Sequence, residues 1–240
     1  GTNYAGIFEY HKAGRGGRRR RIPAYGGRRC GIYQDKWPLQ GVISVFIDDY
    51  KRLIKSRMGE KRYIHSLNVA KEAVRLAKLY GADVKKAEVA GLLHDVTKET
   101  PPQEQLKLIK ASGIILSEVQ KVSPKLWHAI SGAAYIRMQL SVTDPDIVSA
   151  IRFHTTGRAQ MSLLEKVIFV ADFTGEERDY DGVEIMRRKS GESLEEAMLF
   201  GLSFSIADLA KRDLAIDPNT LAAYNQIVLS RLQKQQEGLL

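Results

Sequence analysis

From Val42 to Gln235, apolar residues recur every three or four positions, and this one periodicity excludes most folds open to a chain of 240 residues. Val42, Val45, Phe46, Leu53, Ile54 and Met58 mark the first helical stretch, with Gly59 as its stop. Ile64 to Tyr80 repeats the pattern through Leu67, Ala70, Val74 and Ala77 and closes at Gly81. Asp83 caps a helix running to about Asp95, and Pro101 and Pro102 open another, since proline is tolerated in a first helical turn. Pro124 to Leu140, Asp144 to His154, Ser162 to Phe173, Ser193 to Lys211 and Asn219 to Gln235 complete the series. Regular β-alternation is absent, and Asp181-Gly182 follows a polar loop instead of joining two apolar runs. The expected fold class is all-α.

Composition narrows the function. Hydrophobic residues at 44% and charged residues at 27% fit a globular chain. No uncharged run reaches the ~18–20 residues of a membrane span, so no membrane partner is expected. Gly1 to Tyr10 lacks the basic-then-apolar order of a signal peptide, and the single Cys30 excludes an intramolecular disulfide. A reducing, cytoplasmic setting is the expectation. Neither GxGxxG nor GxxxxGK[ST] occurs, which removes both glycine-rich nucleotide loops.

The net charge of +9 suggests nucleic acid until it is divided along the chain. Residues 1–36 hold nine Lys/Arg against Glu9 and Asp35, whereas residues 37–240 hold 28 basic and 26 acidic residues. The basicity belongs to a Gly/Arg-rich tail, expected to be disordered or foreign to the natural protein. Its run Arg15 to Arg21 could touch nucleic acid if the tail is native. Residues 37–240 are expected to form the working domain.

Of five histidines, His11 lies in the tail and the other four, His65, His94, His128 and His154, fall on or at the ends of expected helices. Asp95 follows His94 directly, and Asp172 follows five apolar residues, Val167 to Ala171, so its carboxylate should be buried and in need of a partner. Each taken singly is weak, because a lone histidine on an apolar face is more often a core residue. Together they suit a divalent metal without thiolates, Fe, Mn, Co or Zn, held among facing helices.

The ordered pattern His65, His94-Asp95, His128, His154, Asp172 resembles the HD-domain superfamily of metal-dependent phosphohydrolases. The blocks Arg62 to Ser66, His94 to Lys98, Leu126 to Ala129, His154 to Arg158, Leu163 to Asp172 and Ile216 to Leu221 are similar to its YqeK-type branch, the symmetrical bis(5′-nucleosyl)-tetraphosphatases. That resemblance implies an HD-domain helical bundle with its metal site among the central helices. It implies cleavage of diadenosine tetraphosphate into two ADP, with one or two metal ions, usually iron. His65, His94, Asp95 and Asp172 would bind the first ion, and Asp95, His128 and His154 the second. In a one-metal form His128 and His154 would face phosphate. Arg62, Lys98, Thr155, Gly157, Arg158 and Arg178 resemble phosphate and nucleotide contacts, and Asp217, Pro218, Asn219 and Thr220 a nucleoside-side loop. Asp95, Lys98, His128 and His154 carry the expected catalysis, with a dinucleoside polyphosphate as partner; a homodimer is compatible with it. The branch usually has Glu-Pro-x-Arg after its Asp-Tyr pair, where this chain reads Gly175-Glu176-Glu177-Arg178, so the register of Arg178 stays open. Two other readings stay open as well: another HD phosphohydrolase acting on guanosine polyphosphates or nucleoside monophosphates, and a nucleotide-binding sensor dominated by the tail.

Overall fold

The computed structural model of the chain describes residues 47–238; the basic tail, Cys30 and the Val42 start of the first expected helix lie outside them. Eleven α-helices and one 3-10 turn make up the described residues, with no strand among them. None of these helices is long and apolar enough to cross a membrane.

Local chemistry explains most of the boundaries. Helix α1 (Ile47–Arg57) carries Asp48 and Asp49 in its first turn and Lys55 and Arg57 in its last, the polarity favoured by the helix dipole. Gly59 does not end it but precedes α2 (Glu60–Tyr80), which stops at Gly81, left-handed at φ 79° with its amide donating to the Ala77 carbonyl. Asp83 caps α3 (Val84–Leu93), accepting from the amides of Lys85 and Lys86. This helix ends two residues before its expected limit, which leaves Asp95 in a turn.

Pro102 opens α4 (Pro102–Ala111), and a Ser117–Gln120 capping box holds the short α5 (Glu118–Val122). The expected helix from Pro124 divides into a 3-10 turn, Pro124–Leu126, and α6 (Trp127–Gln139). Asp144 caps α7 (Pro145–Phe153), and Ser162 with Glu165 boxes the start of α8 (Leu163–Thr174). Neither α5 nor α9 (Val183–Glu192) was expected. The first buries nothing, and the second buries only Val183, Met186 and Ser190, too thin a stripe to read as periodicity. Two long helices close the chain, α10 (Leu194–Lys211) and α11 (Pro218–Glu237).

Helix α8 is the axis of the packing. Val167 to Ala171 are all buried, and a helix apolar on every side must be surrounded. Helices α2, α3, α7, α9 and α10 all pack on it, and α6 packs on α7. Trp127 fills a smaller cluster with Ile109 and Ile130, its indole N–H donating to the Gln120 carbonyl at 2.6 Å, so it is a packing residue. Gly91 permits the tightest crossing: a Cβ there would lie 2.6 Å from the Ala70 Cα on α2.

Candidate metal centre

That crossing sets up the site. It brings His65 on α2 beside His94, the residue that ends α3, with their Nε2 atoms 3.2 Å apart. His128 in the first turn of α6 and His154 at the end of α7 form a second pair, also with Nε2 atoms 3.2 Å apart. Asp95 lies between the pairs, and Asp172 near the end of α8 closes the first, its Oδ1 3.2 Å from His65 Nε2 and 3.8 Å from His94 Nε2. All four histidines and Asp95 are buried.

The two oxygens of Asp95 face different histidines. Oδ2 is 3.7 Å from His65 Nε2 and 3.6 Å from His94 Nε2, whereas Oδ1 is 3.2 Å from His128 Nε2 and 3.6 Å from His154 Nε2. Three of the rings are held by their other nitrogen. His94, His128 and His154 each direct Nδ1 at the carbonyl three residues earlier, at 2.8, 2.7 and 2.8 Å. A carbonyl only accepts, so each Nδ1 carries a proton and each ring turns its Nε2 toward the carboxylates.

Burial keeps two of these rings neutral, pushing His94 down to about 3 and His128 down to about 4. Burial also pulls His65 down, but its hydrogen bonds to Asp172 and Glu177 outweigh that and raise it. Burial pushes Asp95 and Asp172 upward, yet the cations Lys98 and Arg178 and the surrounding histidines hold both well below the usual carboxylate range.

The result is an ionised carboxylate ringed by imidazole lone pairs. Lys98 Nζ reaches His128 Nε2 at 3.1 Å, but Asp95 Oδ1 stays buried without a donor. An orphaned anion facing lone pairs suits a cation, and His65–His94–Asp95, His94–His154–Asp172 and Asp95–His128–His154 each bring three ligand atoms within 4.8 Å of one another. The donor set fits one or two divalent ions.

A cavity of about 400 Å³ adjoins the cluster. Arg62, Asp95, Lys98, His128, His154, Thr155, Asp172 and Arg178 line it, together with Pro101, Pro102, Gln105, Phe173 and Tyr180. Arg62 donates to Asp95 Oδ2 at 2.7 Å, and Arg178 donates to the Asp172 carboxylate and, at 2.7 Å, to its carbonyl. Arg178 therefore reaches the cavity despite the altered segment before it. Thr155 Oγ1 is buried without a partner.

Several expected contacts lie elsewhere. Arg158 turns away from the cavity to pair with the fully buried Glu165, its Nε and Nη2 donating at 2.6 and 2.9 Å. Gly157 does not line the cavity either. Its φ of 62° and the 3.4 Å approach of Ala223 to any Cβ place it under α11 as a turn residue. The loop Asp217, Pro218, Asn219 and Thr220 also stands outside. Asp217 caps α11 by accepting from the Asn219 amide and takes a 2.9 Å hydrogen bond from Gln120 Nε2, so its carboxylate is spent on packing.

Three supporting residues were given no role in the sequence reading. Glu177 accepts from His65 Nδ1 and from Asn68 Nδ2, the latter at 2.7 Å. Thr97 donates to the His128 carbonyl at 2.8 Å, tying the Asp95 turn to α6. Gln105 lines the cavity. Glu177 and Gln105 sit beside residues already singled out, Arg178 and Pro102, but nothing in their spacing marks them.

The fold and the site define an all-helical protein built around a His/Asp centre able to hold divalent metal. A family profile described as HD domain matches residues 62–174. The chain is 41% identical over 180 residues to the symmetrical bis(5′-nucleosyl)-tetraphosphatase of Halalkalibacterium halodurans, covering 75% of this chain and 96% of the relative. It is 38% identical to the protein of the same name from Bacillus subtilis, over 73% of this chain and 94% of that one. A crystal structure from Clostridium acetobutylicum, described as a predicted HD superfamily hydrolase involved in NAD metabolism, superposes with a TM-score of 0.74 at 34% identity, covering 76% and 97% of the two chains. The chain belongs to the HD-domain family, in the branch of the symmetrical bis(5′-nucleosyl)-tetraphosphatases.

Proposed function

We propose that the protein hydrolyses diadenosine tetraphosphate, and related dinucleoside polyphosphates, symmetrically to two ADP in a reducing cytoplasm. The observation that carries this is the divided Asp95 carboxylate, each oxygen facing its own pair of histidines beside a cation-lined cavity. The relatives' names supply the substrate. His65, His94, Asp95 and Asp172 would hold one ion, and Asp95, His128 and His154 a second, with iron assigned from the family resemblance. When bound, such ions supply Lewis acidity toward phosphoryl oxygens and an acidified water.

The chain's own groups do the rest. A tetraphosphate bridge is strongly anionic, and Arg62, Lys98 and Arg178 bring three cations to the cavity. Lys98 serves as a point charge, its ammonium 3.9 Å from Asp95 Oδ1. Thr155 offers an unspent hydroxyl, and in a one-metal form His128 and His154 contact phosphate directly. One water is consumed: its oxygen joins one of the two central phosphorus atoms, and the bridging oxygen leaves with the other. ADP is a weakly basic leaving group, so little general-acid help is needed. The catalytic unit spans residues 37–240, and neither a homodimer nor a nucleic-acid contact by the tail is part of this reading.

Chromatographic product analysis tests it, with protein reconstituted anaerobically with Fe²⁺ and in parallel with Mn²⁺ or Co²⁺. ADP as sole product is expected. ATP plus AMP would reject symmetrical cleavage, and no turnover with any metal would favour another HD substrate, such as a guanosine polyphosphate.

A further inference from the structure

We infer, resting on the reading of the histidine cluster as a metal centre, that Arg187 on α9 is a positioning residue: its guanidinium grips the turn Gly175–Arg178 and so presents Glu177 to His65. Helix α8 ends at Thr174 with no basic residue in its last turn, and a helix end leaves carbonyls without intrahelical donors. Groups from beyond the helix supply them. The Ala171 carbonyl accepts from the Gly175 amide, that of Asp172 from Arg178 Nε, that of Phe173 from the Tyr180 hydroxyl and that of Thr174 from Arg187 Nε. Cations are also the charges that this end of a helix dipole favours.

Arg187 goes further than a cap. Its Nη2 lies 2.8, 3.3 and 3.0 Å from the carbonyl oxygens of Gly175, Glu176 and Arg178, so one planar group, with its Nε on Thr174, holds the backbone of the whole turn. Nη1 donates to Glu184 and ties the guanidinium to the first turn of α9. Both side chains that the turn delivers work at the centre: Glu177 accepts from His65 Nδ1, and Arg178 donates to the Asp172 carboxylate. Glu177 folds back over Gly175, where a Cβ would lie 3.0 Å from both of its carboxylate oxygens. The place of that carboxylate therefore depends on how the turn is held, and α9 holds it. A lysine, a point charge on a flexible stem, lacks the planar fork that meets these carbonyls together.

The test is a titration of the metal-stripped full chain with Mn²⁺. Arg187→Met is expected to weaken binding about three- to tenfold, the effect of releasing a partner that orients a ligand. In a Glu177→Gln background the same substitution should cost nothing further, because the carboxylate it positions is gone. Unchanged affinity in Arg187→Met overturns the role, and so does a full additional loss in the double variant, which a general loosening of the fold would give. Arg187→Lys keeps the charge beside α8 without the fork, and is expected to lose about threefold even if Arg187→Met fails to fold. Wild-type affinity in Arg187→Lys also overturns the role. A second arm needs no metal. The His65 Nδ1 proton given to Glu177 should appear as a slowly exchanging imidazole signal in ¹H–¹⁵N spectra of metal-free protein, assigned by its loss in His65→Gln. It should exchange at least about threefold faster in either Arg187 variant, as a locally loosened hydrogen bond does. Its absence from wild-type protein, or an unchanged rate in the variants, overturns the inference. Wild-type protein that binds no Mn²⁺ would instead remove the metal centre and leave the imidazole signal to decide.

Discussion

Glu177 shows how a single residue outside the ligand set can tune it. Burial raises its pKa, but the hydrogen bond and charge of His65 together with the Asn68 hydrogen bond outweigh that and hold the carboxyl down at about 2, so it is an anion at every working pH. A carboxylate on the far nitrogen of a ligand histidine fixes the ring and makes it a stronger donor to metal. Glu177→Gln keeps an acceptor for Nδ1 but removes the charge. It is expected to weaken binding of Mn²⁺ or Co²⁺ by about tenfold in a titration of metal-stripped protein. Unchanged affinity would reduce Glu177 to a surface partner of Asn68.

At the scale of elements, the crossing of α2 and α3 decides whether there is a site. Their separation is set by Gly91, where any side chain meets the α2 backbone at Ala70, and Gly91 lies one turn before His94. Gly91→Ala must push the helices apart. It is expected to cost about 1–3 kcal/mol in a denaturant titration and to lower metal content as His94 withdraws from His65. Full metal content in a destabilised variant would show that the ligands follow α8 instead of this crossing. Most helices were legible because their signals are local: Asp83 and Asp144 each cap within two or three residues, as does Asp217, which the sequence reading assigned to a nucleoside-side loop. Helices α5 and α9 were not, because one buries nothing and the other buries only Val183, Met186 and Ser190, too few to show a helical period.

For the whole molecule, the buried cluster ties stability to pH. The pKa values of His94 and His128 fall from the ordinary 6.5 to about 3 and about 4, so between those values and 6.5 the unfolded chain binds protons that the native state refuses. Stability must fall as pH falls through that window. Asp95, Asp172 and Glu177, all depressed, add loss of the same sign below the usual carboxylate range. His65 is raised and opposes them, and between pH 7 and pH 5, where the carboxylates stay ionised in both states, it stands against His94 and His128. The melting temperature of chelator-treated protein is therefore expected to drop by about 5 °C or more between pH 7 and pH 5. A flat or rising profile would mean that the histidines are not buried neutral.

The sequence by itself determined most of the helices, several of their caps and the identity of the four histidines and two aspartates that gather at the candidate metal centre. Helical period and capping act within four residues, and imidazole or carboxylate chemistry belongs to the residue type. Which polar residues share a cavity was decided by tertiary packing alone. Arg158 and Arg178 look alike in sequence, two arginines in loops near expected ligands. One is neutralised by Glu165 inside its own loop-helix junction, and the other turns onto Asp172 at the metal centre. His65 meets Glu177 across 112 residues of chain, a distance at which no local pattern survives. Burial forced those partnerships, because a charge removed from water must find its counterpart wherever the packing of the helices places it.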